Sequence, residues 1–120
     1  MSDKKETSLN GTELNVDNGG LTDNELAALK HTHGRIHEIT VDDEEAGIRL
    51  KGYFKRPDMN TMQAVSSVSK RNEVQGGEIL FDNCWLGGAQ LLKNDAVYKM
   101  EGIAALSGLF GKCKHELKNW

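Results

Sequence analysis

Between Arg35 and Phe54 the apolar residues change from a helical period to strict alternation, and this change constrains the fold more than any other feature of the chain. His37, Ile39 and Val41 share one parity, and Ile48, Leu50, Gly52 and Phe54 share one parity in the run that follows. Side chains point alternately to the two faces of a strand, so each run presents one apolar face. The connection Asp42-Asp43-Glu44-Glu45-Ala46-Gly47 is acidic and closes on a glycine, which a turn leaving type I geometry requires for its left-handed residue. The region therefore predicts a β-hairpin. Its second strand carries Arg49, Lys51, Tyr53 and Lys55 on the face turned to solvent.

Helical periods flank the hairpin on both sides. Thr22, with Glu25 three residues on, predicts a capping box that opens a short helix with Leu26 and Leu29 on one face, ending near Gly34. Pro57 cannot donate to a β-ladder, so Arg56-Pro57-Asp58 ends the second strand. Asp58 or Asn60 then caps a helix in which Met62, Val65 and Ser69 share a face, ending near Arg71. A third helix is expected from Glu73 to Leu86, with Ile79, Leu80, Phe81, Cys84 and Trp85 in its second half and Gly87-Gly88 as its stop. Gly76 and Gly77 weaken its first half by about 1 kcal/mol each. From Asp95 to about Asn119, Val97, Met100, Ala104, Leu106, Leu109, Phe110, Cys113 and Leu117 predict a long amphipathic helix. Gly102, Gly108 and Gly111 interrupt it, which favours a kink or a close backbone approach. The expected class is α+β, a small antiparallel hairpin sheet packed against several helices.

The first twenty residues contain only Met1, Leu9, Leu14 and Val16 as large apolar side chains. That is too little burial to offset the entropy of ordering them, so residues 1–20 are expected to be a disordered tail before a single domain over 21–120. No stretch has the apolar length of a secretory signal or a membrane span, and Cys84 and Cys113 are expected to be reduced cytoplasmic thiols. A net charge of −3 gives no bulk attraction to nucleic acid or to anionic lipid.

Chemistry-bearing constellations are sparse. His31, His33, His37 and His115 are matched by no cysteine pair at the spacing of a structural zinc site, so neither a metal nor any other cofactor is expected. Asp42 to Glu45 adjoin in a turn and repel one another in water, where catalytic carboxylates would flank a cleft. Neither a phosphate-cradling glycine loop nor a nucleophile elbow occurs, and no catalytic residue is expected. Arg49, Lys51, Lys55 and Arg56, with Tyr53 between them, form a thin basic face that could follow a nucleic-acid backbone or an acidic protein segment. Trp85, in Leu80-Phe81-Asp82-Asn83-Cys84-Trp85-Leu86-Gly87-Gly88, is either the centre of the core or an interface anchor.

Three segments resemble a group of bacteriophage tail assembly chaperones: Leu21 to Lys30 with the following His33-Gly34, Tyr53-Phe54-Lys55-Arg56-Pro57-Asp58, and Asn83-Cys84-Trp85-Leu86-Gly87-Gly88. The resemblance runs from about Leu21 to the C-terminus. Asn72 to Gly77 and Ala89-Gln90 depart from the family pattern, which places a lysine-rich stretch and an acidic pair there. The resemblance implies a non-enzymatic protein of the host cytoplasm, absent from the mature virion, that coats the tape-measure protein and helps tail-tube subunits assemble around it. With it, Tyr53, Phe54, Trp85, Leu86, Leu106, Leu109 and Phe110 become the expected partner-binding residues. The alternative is a nucleic-acid-associated or general protein-interaction module using Arg49, Lys51, Lys55 and Arg56. Self-association is left open.

Overall fold

In the computed structural model, which describes residues 5–110 and 116–119, the chain runs β1 (Lys5–Thr7), β2 (Glu13–Asp17), α1 (Asp23–His33), β3 (Ile36–Asp43), β4 (Ile48–Lys55), α2 (Met59–Ser69), α3 (Glu73–Cys84), β5 (Trp85–Gly88), α4 (Gln90–Asn94) and α5 (Ala96–Phe110). The class is α+β, as the periodicities predict. The hairpin is β3 with β4, antiparallel from Ile36↔Lys55 to Asp43↔Ile48. His37, Ile39 and Val41 stand opposite Phe54, Gly52 and Leu50, so the two predicted parities share one face. That face carries the core. Phe54, Phe81, Leu92 and Leu106 are fully buried there, packed with Ile39, Val41, Leu50, Leu80 and Ile103 beneath α3, α4 and α5.

The sheet is larger than a hairpin and is mixed rather than antiparallel. Its order is β1-β2-β4-β3, with β5 also on β4. β2 runs parallel to β4 through Asn15↔Ile48 and Asp17↔Leu50, and β1 returns antiparallel on β2. The disordered tail expected over residues 1–20 is thus overturned for residues 5–17, and the expected boundary at residue 21 falls inside the folded unit. The physical reason is long-range. Leu14 and Val16 are too few to order a segment alone, yet β4 offers an edge on which both become buried. Glu6 adds ion pairs to Arg49 at 2.7 Å and Lys51 at 2.9 Å. The exit from β2 needs Gly19: its φ is 75°, and a side chain there would run into the Gly88 carbonyl.

The helix starts follow local chemistry. Thr22 and Glu25 form the predicted capping box of α1, and the Asp58 carboxylate accepts from the Thr61 amide at 2.8 Å to open α2. α2 and α3 form an antiparallel pair close enough that Gly76 lies against Ser69 with no room for a β-carbon. The helix ends deviate more. α3 stops at Cys84, two residues before the predicted Leu86, because Trp85–Gly88 extends and pairs with Gly52 to Phe54 of β4. The short α4 is absent from the sequence reading, and α5 ends at Phe110 among the described residues, short of the expected Asn119. Gly111 and Cys113, part of that expected helix, lie outside the described residues, as does His115.

Candidate protein-binding surfaces

The seven expected partner-binding residues do not form one surface. Tyr53, Phe54 and Leu106 are buried, so none can meet a partner without opening the fold. Phe54 and Leu106 lie on the core face that their spacings mark, whereas Tyr53 is on the opposite face of β4, the one expected to be turned to solvent, and is buried there beside Leu26 and Ala27 of α1. Trp85 is half-buried: its ring stacks on Phe81 at 5.5 Å and 20° and meets the edge of Phe54 at 5.5 Å and 77°. The Lys93 ammonium lies 5.9 Å from its centroid, so the ring forms a wall of the core under a cation. Leu86 is half-buried on β5. Leu109 and Phe110 are half-buried at the far end of α5, where Phe110 meets His37 edge-on at 6.2 Å.

The basic alternative is largely neutralised within the protein. Arg49 pairs with Glu6 and Asp42, each at 2.7 Å, and Lys51 with Glu6 at 2.9 Å and Glu38 at 3.2 Å. Hydrogen bonds from Lys51 and Arg49 hold the Glu6 carboxyl below the usual carboxylate range. Burial acts to lower the Lys51 pKa, but the bonds to Glu6 and Glu38 outweigh it and the net shift is upward. Hydrogen bonds that Arg49 donates to Asp42 and Glu6 likewise raise its pKa. Lys55 is half-buried and Arg56 exposed at the end of β4. The acidic turn is fastened as well: Asp43 accepts from the Tyr98 hydroxyl at 2.6 Å, and Glu44 accepts from Asn10 and Thr12.

Among the described residues no three His, Cys, Asp or Glu side chains are arranged to hold a metal ion. Cys84 is buried and burial pushes its thiol pKa up, which leaves it a poor nucleophile. Burial, followed by Arg35 and Arg56, lowers the His37 pKa. His31 and His33 are exposed in the last turn of α1.

What the fold does assemble is a groove between the α2–α3 pair and α5. It encloses about 530 Å³ and is lined by Val65, Val74, Leu80, Met100 and Ile103. Val74 and Met100 are 49% and 45% exposed on its rim. Met59 and Met62 continue the Val65–Ser69 line along α2 at helical spacing and are exposed too. Met59, Met62 and Met100 are all the methionines after Met1. Unbranched thioether side chains adapt to varied apolar partners, so this composition suits a surface that takes more than one shape. Sequence reasoning placed Met62 and Met100 on apolar faces but missed Met59 and Val74, because exposure on a core-like stripe depends on what packs opposite.

No family model matches this chain, and no curated protein does. An uncharacterised protein from Bacillus stearothermophilus, rbstp2171, has a solved structure with a TM-score of 0.55 and 15% sequence identity. The match covers 78% of this chain and 99% of that one. At this identity the likeness concerns the fold alone.

Proposed function

We propose that this chain is a non-enzymatic protein-binding module of the tail-assembly-chaperone kind, which takes amphipathic helices of a tape-measure protein in the groove between α2–α3 and α5. The observation that carries this reading is the open, largely apolar groove with Val74 and Met100 exposed on its rim, together with exposed Met62 and Met59 at helical spacing from Val65 on α2. An amphipathic helix recognises such a groove through apolar anchors three and four residues apart, and methionines let one groove accept many related stretches of a long repetitive helix. Tail-tube subunits are the second expected partner, and the host cytoplasm the place of action. Among the described residues no helix is long and apolar enough to cross a membrane, which is compatible with that location. The nucleic-acid alternative is weakened by the ion pairs that occupy Arg49 and Lys51.

The test is a calorimetric titration of the full chain with a synthetic amphipathic helix of leucine and alanine heptads, and separately with a single-stranded oligonucleotide. The helix is expected to bind at about micromolar Kd, roughly −8 kcal/mol. Its affinity should change little between 50 and 300 mM salt, whereas phosphate neutralisation would lose affinity steeply over that interval, by about a thousandfold for six or more contacts. Val74→Asp with Met100→Asp should weaken helix binding about tenfold or more while leaving the melting temperature nearly unchanged, since both residues are substantially exposed. Salt-sensitive oligonucleotide binding together with no helix binding would overturn the proposal.

A further inference from the structure

β3 is an edge strand. It pairs with β4 on one side, and beyond that ladder no backbone group from Ile36 to Asp43 makes a hydrogen bond among the described residues. In an antiparallel strand about half the residues aim both N–H and C=O away from the existing partner, so this edge presents a row of unsatisfied donors and acceptors. Long exposed edges are usually blunted by shortness, proline or a covering segment. Here the strand has eight residues and no proline.

α5 roofs this edge without closing it. Two stretches of cleft lie end to end between β3 and α5, of about 570 and 540 Å³, and both are lined by Thr40, Ala104 and Ala105. At the Ile36 end the helix contributes Gly108 and Leu109. At the other end it contributes Val97, Tyr98 and Glu101. Alanines and a glycine on the helix leave room for the side chains of a guest. The fifteen residues of α5 rise about 22 Å, the length of six or seven residues of extended chain. The two ends also differ in charge. Asp42, Asp43, Glu44 and Glu101 collect at one end; Asp42 is already paired with Arg49, whereas Asp43, Glu44 and Glu101 have no ion-pair partner among the described residues.

We propose that the β3 edge beneath α5 is a strand-addition site for an extended segment of another protein, with small branched apolar residues at alternate positions and a lysine or arginine at the end beside Asp42 to Glu44 and Glu101. Main-chain hydrogen bonds to β3 supply the attachment, and the alternate side chains directed at Ala104, Ala105 and Gly108 supply the selection. The acidic end sets the register of the guest by its charge. A second copy of this chain fits less well, because two β3 strands paired antiparallel about Thr40 bring Glu38 against Asp42 twice. Ala104 lines both this cleft and the helix groove, which otherwise take different residues of α5, and the inference does not depend on the helix-binding reading.

The probe is an acetylated peptide, Lys-Lys-Val-Thr-Val-Thr-Val-Thr, titrated into the full isotope-labelled chain and followed by amide shifts and hydrogen exchange. Its counterpart has two glutamates in place of the lysines. Saturable shifts along residues 36–43 and 97–109 are expected, with alternate β3 amides gaining protection. The glutamate peptide should bind several-fold more weakly, and Glu101→Lys should lower affinity for the lysine peptide about two- to fivefold, the effect of one exposed charge. Ala105→Trp fills the cleft from an exposed position and should abolish binding with the fold intact. Absence of saturable shifts at millimolar peptide, shifts confined to the Val74 and Met100 groove, or concentration-dependent dimerisation through β3 without peptide would each overturn the inference.

Discussion

Phe81 and Trp85 sit one helical turn apart and stack on each other, yet they differ in what they contribute. Phe81 is fully buried, whereas one side of Trp85 is open beneath Lys93. Phe81→Ala is therefore expected to cost about 3–5 kcal/mol and Trp85→Ala less, about 2–3 kcal/mol, in urea unfolding of the two variants. Glu6 makes a second prediction. Its carboxyl pKa is lowered in the folded state by Lys51 and Arg49, so its contribution to stability is complete above the unfolded value of 4.5 and is lost as pH falls through the lower folded value. Glu6→Gln should flatten the stability profile below about pH 4.5, the unfolded value, and leave the slope near neutrality unchanged. Asp43, lowered chiefly by the Tyr98 hydroxyl, loses its contribution in the same direction, and Asp43→Asn separates the two.

At the scale of elements, the least expected feature is β2, a strand of five residues that borrows its stability from β4. Leu14 is fully buried, so Leu14→Ala should destabilise the whole protein by about 2–4 kcal/mol, and not merely release a tail. Amides of residues 13–17 should be protected from hydrogen exchange to nearly the same degree as those of β4, since the two open together. Exchange of residues 13–17 at the rate of an unstructured peptide would refute the docking. β5 follows the same logic: Gly88 and Gly52 stand side by side, with no side chain between the two backbones. The glycine pair that reads as a helix stop therefore also admits a strand.

For the whole molecule, one apolar cluster joins the hairpin to α3, α4 and α5, and a single cooperative transition follows. Urea unfolding followed by tryptophan fluorescence and by far-ultraviolet circular dichroism should give coincident midpoints; a hairpin or helical pair melting separately would split them. Much of this architecture was legible in the residues. The alternation across Arg35 to Phe54 determined the hairpin and its buried face, and Thr22-Glu25 and Asp58 determined where two helices begin, because parity and capping are local physics. Tertiary packing decided that Phe54 and Leu106 are buried on one face of the sheet and Tyr53 on the other, while Val74 and Met100 are surface, since periodicity identifies an apolar face but not what covers it. Only the tertiary structure decided that Leu14 and Val16 are core, because a short segment without stability of its own is ordered by an edge more than thirty residues away in sequence, at Ile48 to Leu50. It likewise decided that Arg49 and Lys51 face Glu6, Asp42 and Glu38 instead of solvent, because ion pairing depends on which strands become neighbours.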